Sequence, residues 1–530
     1  MAQIQFKGKT FVQNHHLLVK YHELVPVKGK SLTNKVSLHD NLIIHGDNLK
    51  ALKALLPLYA GKIKCVYIDP PYNTGNENWV YNDNVNSPMM QEWLGKVVDR
   101  EDLTRHDKWL CMMTPRLRII RDLLSDDGIV FVSIDDIEVA KLRLLMDEVF
   151  GEDRFIAQFC WKSRQNKDNR NATGVSIDHE YILCYGIKLR GADRNLDQFS
   201  NPDDDPRGPW TSGNMVGLAT EEARPNLHYD LVNSATRITY KKPKLGWRYD
   251  RKRMHKLIDE NRILWPPDPK GRPRQKVFLS ELGQEFTGYS SIVGQDIYTR
   301  NGTAEIEEIF GERVFDFPKP SALIREFIVQ STDKDSVILD SFAGSGPTAH
   351  AVLEQNSEDD GKRRFILIEC EDYADRVTAE RIRRVIKGVP GAKDEALKKG
   401  LGGSFSFFEL GKALDLECIL DGGCLPTYKE LARYVFYTAT GEEFDEKAVD
   451  EKKSFIGESK NYQVFLFYTP DIVKLKNLAF TLDMAKSLPA LKKDKRRLIF
   501  APTKYLDQDH LEQHKIDFAQ LPFEIYETTR

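Results

Sequence analysis

Cysteine is scarce and unpatterned in these 530 residues. The seven (Cys65, Cys111, Cys160, Cys184, Cys370, Cys418, Cys424) are odd in number, form no C-x-x-C pair and have no histidine at zinc-site spacing. A disulfide framework or a structural zinc as the basis of the fold is thereby excluded, and free, mostly buried thiols in a reducing cytosol are expected. No metal is expected at a functional site. No apolar run approaches the ~20 residues of a membrane span, and Met1 to Lys20 lacks the charge, apolar core and small cleavage site of a signal peptide. A soluble, cytoplasmic protein with no membrane association follows as the expectation. There is no G-x-x-x-x-G-K-[ST] loop, which argues against ATP hydrolysis, and neither an internal repeat nor a long low-complexity segment. Net charge is also small: 77 Lys+Arg against 80 Asp+Glu give −3. That near-balance hides a segregation, because Lys241 to Lys276 carries 13 Lys/Arg against 4 Asp/Glu. Such a block is the footprint of a phosphate-binding surface, although any single residue in it reads equally as part of a solvated face.

With 41% hydrophobic residues the chain is globular and long enough for several domains. From Asn41 onward short apolar runs alternate with amphipathic stretches, the mark of a parallel α/β sheet. Leu42 to His45 reads as a strand, Asn48 to Leu56 as a helix and Lys64 to Ile68 as a strand ending at Asp69. Trp109 to Leu124 recurs at helical spacing before the strand Ile129 to Ile134, and a helix from about Ile137 to Val149 precedes two strands, Phe155 to Trp161 and Tyr181 to Tyr185, read as a hairpin. Pro, Gly, Asp and basic clusters then break the pattern. It returns at Val337 to Asp340, with a glycine turn, a helix and a strand ending at Glu369, followed by a helical stretch near Ala374 to Lys387. Two strands cannot close a core alone, so this late fragment is expected to pack on the first half and the middle region to be an insertion. A last α/β unit is expected from the strand Val464 to Tyr468, a helix Asp471 to Ser487 and the strand Arg497 to Ala501.

Two strand ends carry chemistry. Asp340-Ser-Phe342-Ala343-Gly344-Ser-Gly346 stands where a strand turns into a helix, and an acid, Glu369, ends the next strand 25 residues after Gly344. Glycines there let the backbone approach a nucleoside, and an acid at roughly 20 residues' distance accepts from ribose hydroxyls. A tight strand-to-helix turn with no ligand is the alternative reading of G-x-G taken alone. Asp69-Pro70-Pro71-Tyr72-Asn-Thr-Gly75 also follows a strand. Its prolines fix φ and remove donors, so the Asp69 carboxylate and the Pro70 carbonyl are held as acceptors beside an aromatic ring. Two acceptors and a stacking ring suit a flipped-out base with an exocyclic amine.

Asp-Pro-Pro-Tyr with Phe-x-Gly-x-Gly resembles the S-adenosylmethionine-dependent amino-methyltransferases of DNA, in the β order with the catalytic motif first. Ile44 to Leu49, Tyr67 to Gly75, His106 to Trp109, Gly128 to Asp135, Phe317 to Pro320 and Leu498 to Tyr505 are similar to segments of the modification (Mod) subunits of type III restriction-modification systems. The resemblance spans nearly the whole chain outside the insertion. It implies a permuted Rossmann-like α/β methyltransferase domain with an inserted DNA-recognition domain and a C-terminal α/β domain. The expected boundaries are 1–189 for the catalytic half, 190–313 for the insertion, 314–395 for the cofactor half and 396–530 for the C-terminal domain. It also implies that Asp69 and the Pro70 carbonyl, set by Pro71, bind an adenine N6 amine on which Tyr72 stacks. Asp340, Phe342, Ala343, Gly344 and Gly346 would line the methionine side of S-adenosylmethionine, Glu369 its ribose and Asp47 its adenine edge, with Lys319 and Pro320 closing over the methionine moiety. Pro347 stands where the family usually has Thr, a change the first turn of a helix tolerates. Double-stranded DNA, a homodimer and an ATP-dependent restriction subunit are the implied partners.

The reaction so implied needs alignment more than acid-base strength. An aromatic amine is a poor nucleophile, and acceptors on both its N–H groups favour the reactive, pyramidal form. A carboxylate is too weak a base to deprotonate a neutral amine, so Asp69 reads as an orienting acceptor. Cytosine N4 is the competing target, and Asp rather than Ser at the first motif position favours adenine. A recognition module for a nuclease partner is a further alternative, which the intact motifs argue against, and methylation of RNA or a protein amide is another; the basic insertion favours nucleic acid but does not separate DNA from RNA.

Overall fold

The computed structural model of the protein describes residues 3–73, 105–167, 174–282, 286–413, 425–442 and 444–521. Gly75, Cys418 and Cys424 lie outside the described residues; Cys65, Cys111, Cys160, Cys184 and Cys370 are free. The chain divides into two compact units, Met1–Leu189 with Ser291–Arg530, and Arg190–Ser290.

The larger unit is built on a ten-stranded sheet. Its strands in chain order are β1 (His22–Pro26), β2 (Leu42–His45), β3 (Ile63–Ile68), β4 (Leu124–Ile134), β5 (Phe155–Trp161), β6 (Glu180–Tyr185), β7 (Ile292–Val293), β8 (Val337–Asp340), β9 (Arg364–Glu369) and β10 (Ser406–Ala413). Across the sheet they run β1-β10-β2-β9-β8-β3-β4-β6-β5-β7. The stretch from β10 to β4 is parallel, and β6 pairs antiparallel with both β4 and β5, as the expected hairpin requires. The late fragment docks on the first half: β8 lies between β9 and β3, with Leu339 opposite both Ile366 and Val66.

These central strands are continuously apolar because both faces are covered. Helices α1 (Asn48–Tyr59), α2 (Arg105–Leu123) and α3 (Val139–Phe150) bring Leu52, Trp109, Leu117 and Leu142 into one cluster with Val66, Ile68, Val130 and Val132. The alternate residues Tyr67 and Phe131 point the other way, with period two, and their rings meet Phe327 of α5 (Ser321–Ser331). Helix α4 (Thr299–Phe310) precedes α5, and α6 (Pro347–Asp359) and α7 (Glu380–Lys387) follow. After β8 the chain runs through α6 to β9 on one side, whereas after β3 it reaches α2 and then β4 on the other. Such a reversal opens a crevice at the carboxyl ends of the two strands.

Two expected boundaries shift. The smaller unit ends at Ser290, not 313, because β7 pairs with β5 of the ten-stranded sheet and α4 packs within the larger unit. The sheet also extends past residue 395, since β10 sits between β1 and β2. The C-terminal α/β layer follows as β11 (Phe455–Glu458), β12 (Tyr462–Leu466), β13 (Arg496–Ala501) and β14 (Ile516–Gln520), adjacent in that order. The helix expected over 471–487 is instead two short ones, Ile472–Lys476 and Leu482–Ser487. The break has a cause: Phe480, fully buried beside Phe467, exchanges backbone bonds with Thr503 and Tyr505, and Thr481 caps the second helix.

In the smaller unit, Trp247 is a fully buried core residue among Met215, Tyr229 and Tyr240. Helix Arg251–Asp259 packs Met254 and Leu257 inward and leaves Arg251, Lys252, Arg253 and Lys256 exposed. The basic block is partly spent on internal pairing: Lys241, Lys242, Lys256, Arg262 and Lys276 all meet carboxylates, Lys276 in a buried pair with Asp205 at 3.0 Å. Among the described residues no helix is long and apolar enough to cross a membrane.

Candidate active site

Four neighbouring parallel strands, β2, β9, β8 and β3, each end at or just before an acid: Asp47, Glu369, Asp340 and Asp69. The sheet thus brings two pairs of acids that lie hundreds of residues apart in sequence, Asp47 with Asp69 and Asp340 with Glu369, into one row, because adjacent strands lie about 4.8 Å apart. Asp340 and Asp69 flank the crevice between β8 and β3, and both line a cavity of about 120 Å³ there. Phe342, Ala343 and Gly344 of the glycine turn line it as well, as does Lys319. Tyr67 and Phe317, which open two of the family-like segments, and Phe315 and Tyr373, which the sequence did not single out, give it aromatic walls.

The glycine turn is held from several sides. Asp340 accepts from the Phe342 amide (3.0 Å) and the Thr348 hydroxyl (2.5 Å). Gly344 (φ 53°) and Gly346 (φ 82°) occupy the left-handed region, which costs an L-residue with a side chain about 1–2 kcal/mol. A Cβ on Gly344 would also stand 3.4 Å from the Phe315 ring, narrowing the cavity. Gly346 is the N-cap of α6 and Pro347 its first residue, where a missing N–H costs nothing. Glu369 accepts from the backbone amides of Gly344 (2.7 Å), Cys370 (2.8 Å) and Glu371 (3.0 Å). Burial pushes the Asp340 carboxyl up to about 7, with Asp69 and Glu369 adding repulsion, and burial likewise brings Glu369 to about 7. The Asp47 carboxylate caps α1 by accepting from the Lys50 amide at 3.0 Å, and neither Asp47 nor the fully buried Glu369 lines the cavity.

The Asp-Pro-Pro-Tyr segment is anchored by α2 and by the start of α3. Trp109 donates its indole N–H to the Pro71 carbonyl at 2.7 Å. Asn73, at φ 58°, donates to the buried carboxylate of Glu138, which His106 also meets. Trp109 and His106 therefore anchor the loop, while Asp69 lines the crevice and the Tyr72 hydroxyl meets Asp69, Glu180 and Lys319.

Lys319, immediately before Pro320 and the start of α5, lines the same cavity and is bound to the Asp-Pro-Pro-Tyr motif. Its ammonium lies 3.0 Å from Asp69 Oδ1, 3.0 Å from Glu180 Oε2 and 2.7 Å from the Tyr72 hydroxyl, which accepts from it. The Tyr72 hydroxyl in turn lies 2.8 Å from Asp69 Oδ1 and 2.9 Å from Glu180 Oε2. Burial works against the charge on Lys319, but Asp69 and Glu180 outweigh it and hold its pKa above the ordinary lysine range. Glu180 carried no sequence signal beyond standing at the head of a predicted strand; the β4-β6-β5 arrangement brings it to Tyr72. Pro320 is the N-cap of α5 and Pro70 is buried behind Asp69.

Comparison with known proteins agrees with this geometry. Residues 63–380 match the family of N6 and N4 methylases described as DNA methylase. The chain is 33% identical over 434 residues to the type III restriction-modification enzyme StyLTI Mod subunit of Salmonella typhimurium, covering 76% of this chain and 65% of that one. It is 35% identical over 347 residues to the type II methyltransferase M.KpnI of Klebsiella pneumoniae, covering 61% of this chain and 79% of that one. The chain thus spans just under two thirds of the Salmonella Mod subunit's length. With both motifs at one crevice and a family match over most of the chain, this protein belongs to the DNA methylase family.

Proposed function

We propose that the protein is a site-specific DNA methyltransferase that transfers a methyl group from S-adenosylmethionine to the N6 amine of a flipped-out adenine. The observation that carries this reading is that Asp69, the acceptor of the Asp-Pro-Pro-Tyr motif, and Asp340 to Gly344 of the glycine motif line the same cavity. The residues present fit the cofactor: carboxylates of Asp69 and Asp340 suit a sulfonium cation, and the rings of Phe315, Phe342 and Tyr373 suit a nucleoside base. When bound, S-adenosylmethionine supplies an electrophilic methyl group.

The chain's own contribution is placement. Asp69 and the Pro70 carbonyl accept from the two N–H groups of the amine, and Tyr72 offers its ring face to the base. The bound cofactor would supply the methyl group and take back the C–S electron pair, and the Asp69 carboxylate would stabilise the positive charge left on nitrogen until one N–H proton passes to solvent. Glu369 and the bends at Gly344 and Gly346 hold the cofactor side in register with that acceptor. Asp at the first motif position favours adenine over cytosine as the base.

The exposed cations of Arg190–Ser290 supply the DNA-facing surface, and this unit is the target-recognition region. By likeness to Mod subunits the enzyme acts in the cytoplasm as a homodimer with an ATP-dependent restriction partner. The test is incubation of the pure protein with labelled S-adenosylmethionine and unmethylated DNA, followed by nucleoside analysis. N6-methyladenine confined to one short sequence is expected; N4-methylcytosine would reassign the base, and label in protein or RNA alone would refute the function.

A further inference from the structure

Glu180 is a half-buried acid that neither motif includes, yet it touches both the residue that offers a stacking ring and the cation that holds Asp69. Lys319 Nζ has three oxygens within 3.0 Å, from Asp69, Glu180 and Tyr72. Its ammonium also lies over the Tyr72 ring at 4.8 Å and near the Trp161 ring at 5.7 Å, so the cluster is walled by aromatic surface. Two carboxylates therefore share one ammonium, and the cluster carries one net negative charge in a setting of weakened solvent screening. Among the described residues the contacts from Tyr72 and Lys319 fall on Asp69 Oδ1, which leaves Oδ2 for a substrate N–H.

We propose that Glu180 is a positioning residue of the transfer reaction: by sharing the Lys319 ammonium it keeps the Asp69 carboxylate from being neutralised, and it fixes the Tyr72 ring through its hydroxyl. This rests on the methyltransferase reading above. Without Glu180, Lys319 and Asp69 form a closed one-to-one ion pair, and Asp69 loses the negative potential that a nitrogen gaining positive charge requires. The charge count also explains why a lysine is tolerable beside the acceptor of a reaction that builds positive charge: a second carboxylate offsets it. Burial opposes ionisation of Glu180, but Lys319, Tyr72 and Ser163 outweigh it, and its carboxyl is held below the ordinary range.

The test compares Glu180→Gln, which keeps shape and hydrogen bonding, with Glu180→Asp, which keeps charge. Three readouts are needed: single-turnover methyl transfer at saturating DNA and cofactor, cofactor affinity by calorimetry, and thermal melting. Glu180→Gln is expected to bind cofactor within about threefold of wild type while its transfer rate falls about 10- to 100-fold, an effect confined to the reacting complex. Glu180→Asp is expected to keep most of the rate. Adding Lys319→Met to Glu180→Gln is expected to raise the rate above that of Glu180→Gln alone, since it removes the cation that neutralises Asp69. A merely structural ion pair predicts otherwise. Wild-type transfer by Glu180→Gln, parallel loss of rate and cofactor affinity, or a Lys319→Met change that multiplies the loss would each overturn the proposal. Transfer by the wild-type chain in the same assay separates this outcome from the function itself, because absence of transfer there refutes the methyltransferase reading.

Discussion

Asp340 and Glu369 end neighbouring strands, and burial brings both carboxyls to about 7. Of the two only Asp340 lines the cavity, and a cationic cofactor there prefers it ionised, so affinity is expected to rise about tenfold between pH 6 and 8. Calorimetric titration across that range checks this, with Asp340→Asn flattening the rise; affinity that is flat or increases on acidification contradicts it. The same shifts act on the fold with the opposite sense. A carboxyl at about 7 in the fold, against the ordinary ~4 of the unfolded chain, adds stability that is complete below the unfolded value and lost as pH rises through about 7. Much of the site at this scale was legible, because Asp69, Tyr72, Asp340 and Gly344 sit in motifs whose spacing carries a mechanism. Glu180, Phe315 and Tyr373 were not, because nothing in a sequence states which side chains a pairing of distant strands will bring to one site. The helix-capping bond of the Asp47 carboxylate to the Lys50 amide is a further role that its motif position did not state.

At the level of elements, one fully buried side chain ties the cofactor side together. Arg381 of α7 reaches Ser345 Oγ (3.1 Å) in the glycine turn, Glu305 Oε2 (2.9 Å) on α4 and His350 Nδ1 (3.0 Å) on α6. Glu305 also accepts from the Ser321 amide, one residue after Pro320, so the guanidinium links the glycine turn to the Lys319-Pro320 segment. Removing one partner leaves the other as an uncompensated buried charge. Arg381→Met is therefore expected to cost about 3–5 kcal/mol in urea unfolding, part of which Glu305→Leu restores. A loss under about 1 kcal/mol would show that the link carries no weight. The strands of this region were readable because parallel, doubly covered strands are continuous apolar runs, as at Val337–Asp340. The 471–487 helix was misread for a tertiary reason: periodicity cannot register that Phe480 bonds to a later segment of chain.

For the molecule as a whole, the sheet gathers residues from before and after an insertion, so the catalytic order is permuted without disturbing the strand row. The insertion's charge was visible in composition, but its usable part was not, since pairing with carboxylates removes several cations from it. Among those left exposed, Lys252 and Arg253 lie on the helix Arg251–Asp259. Replacing both with Ala is expected to weaken DNA binding uniformly across sequences and to reduce the log-log salt slope by about one for each phosphate no longer neutralised. Cofactor affinity should not change. An unaltered salt slope would place the DNA on another face of that unit.

The central claim is that Asp69 at the β3-β8 crevice orients an adenine amine for methyl transfer. Its most direct test is single-turnover nucleoside analysis of wild type and Asp69→Ala side by side, with cofactor and DNA binding measured on both. N6-methyladenine from wild type, none from Asp69→Ala and binding of both ligands within about tenfold is the predicted result. Substantial N6-methyladenine from Asp69→Ala, or a wild-type product other than N6-methyladenine, would contradict it.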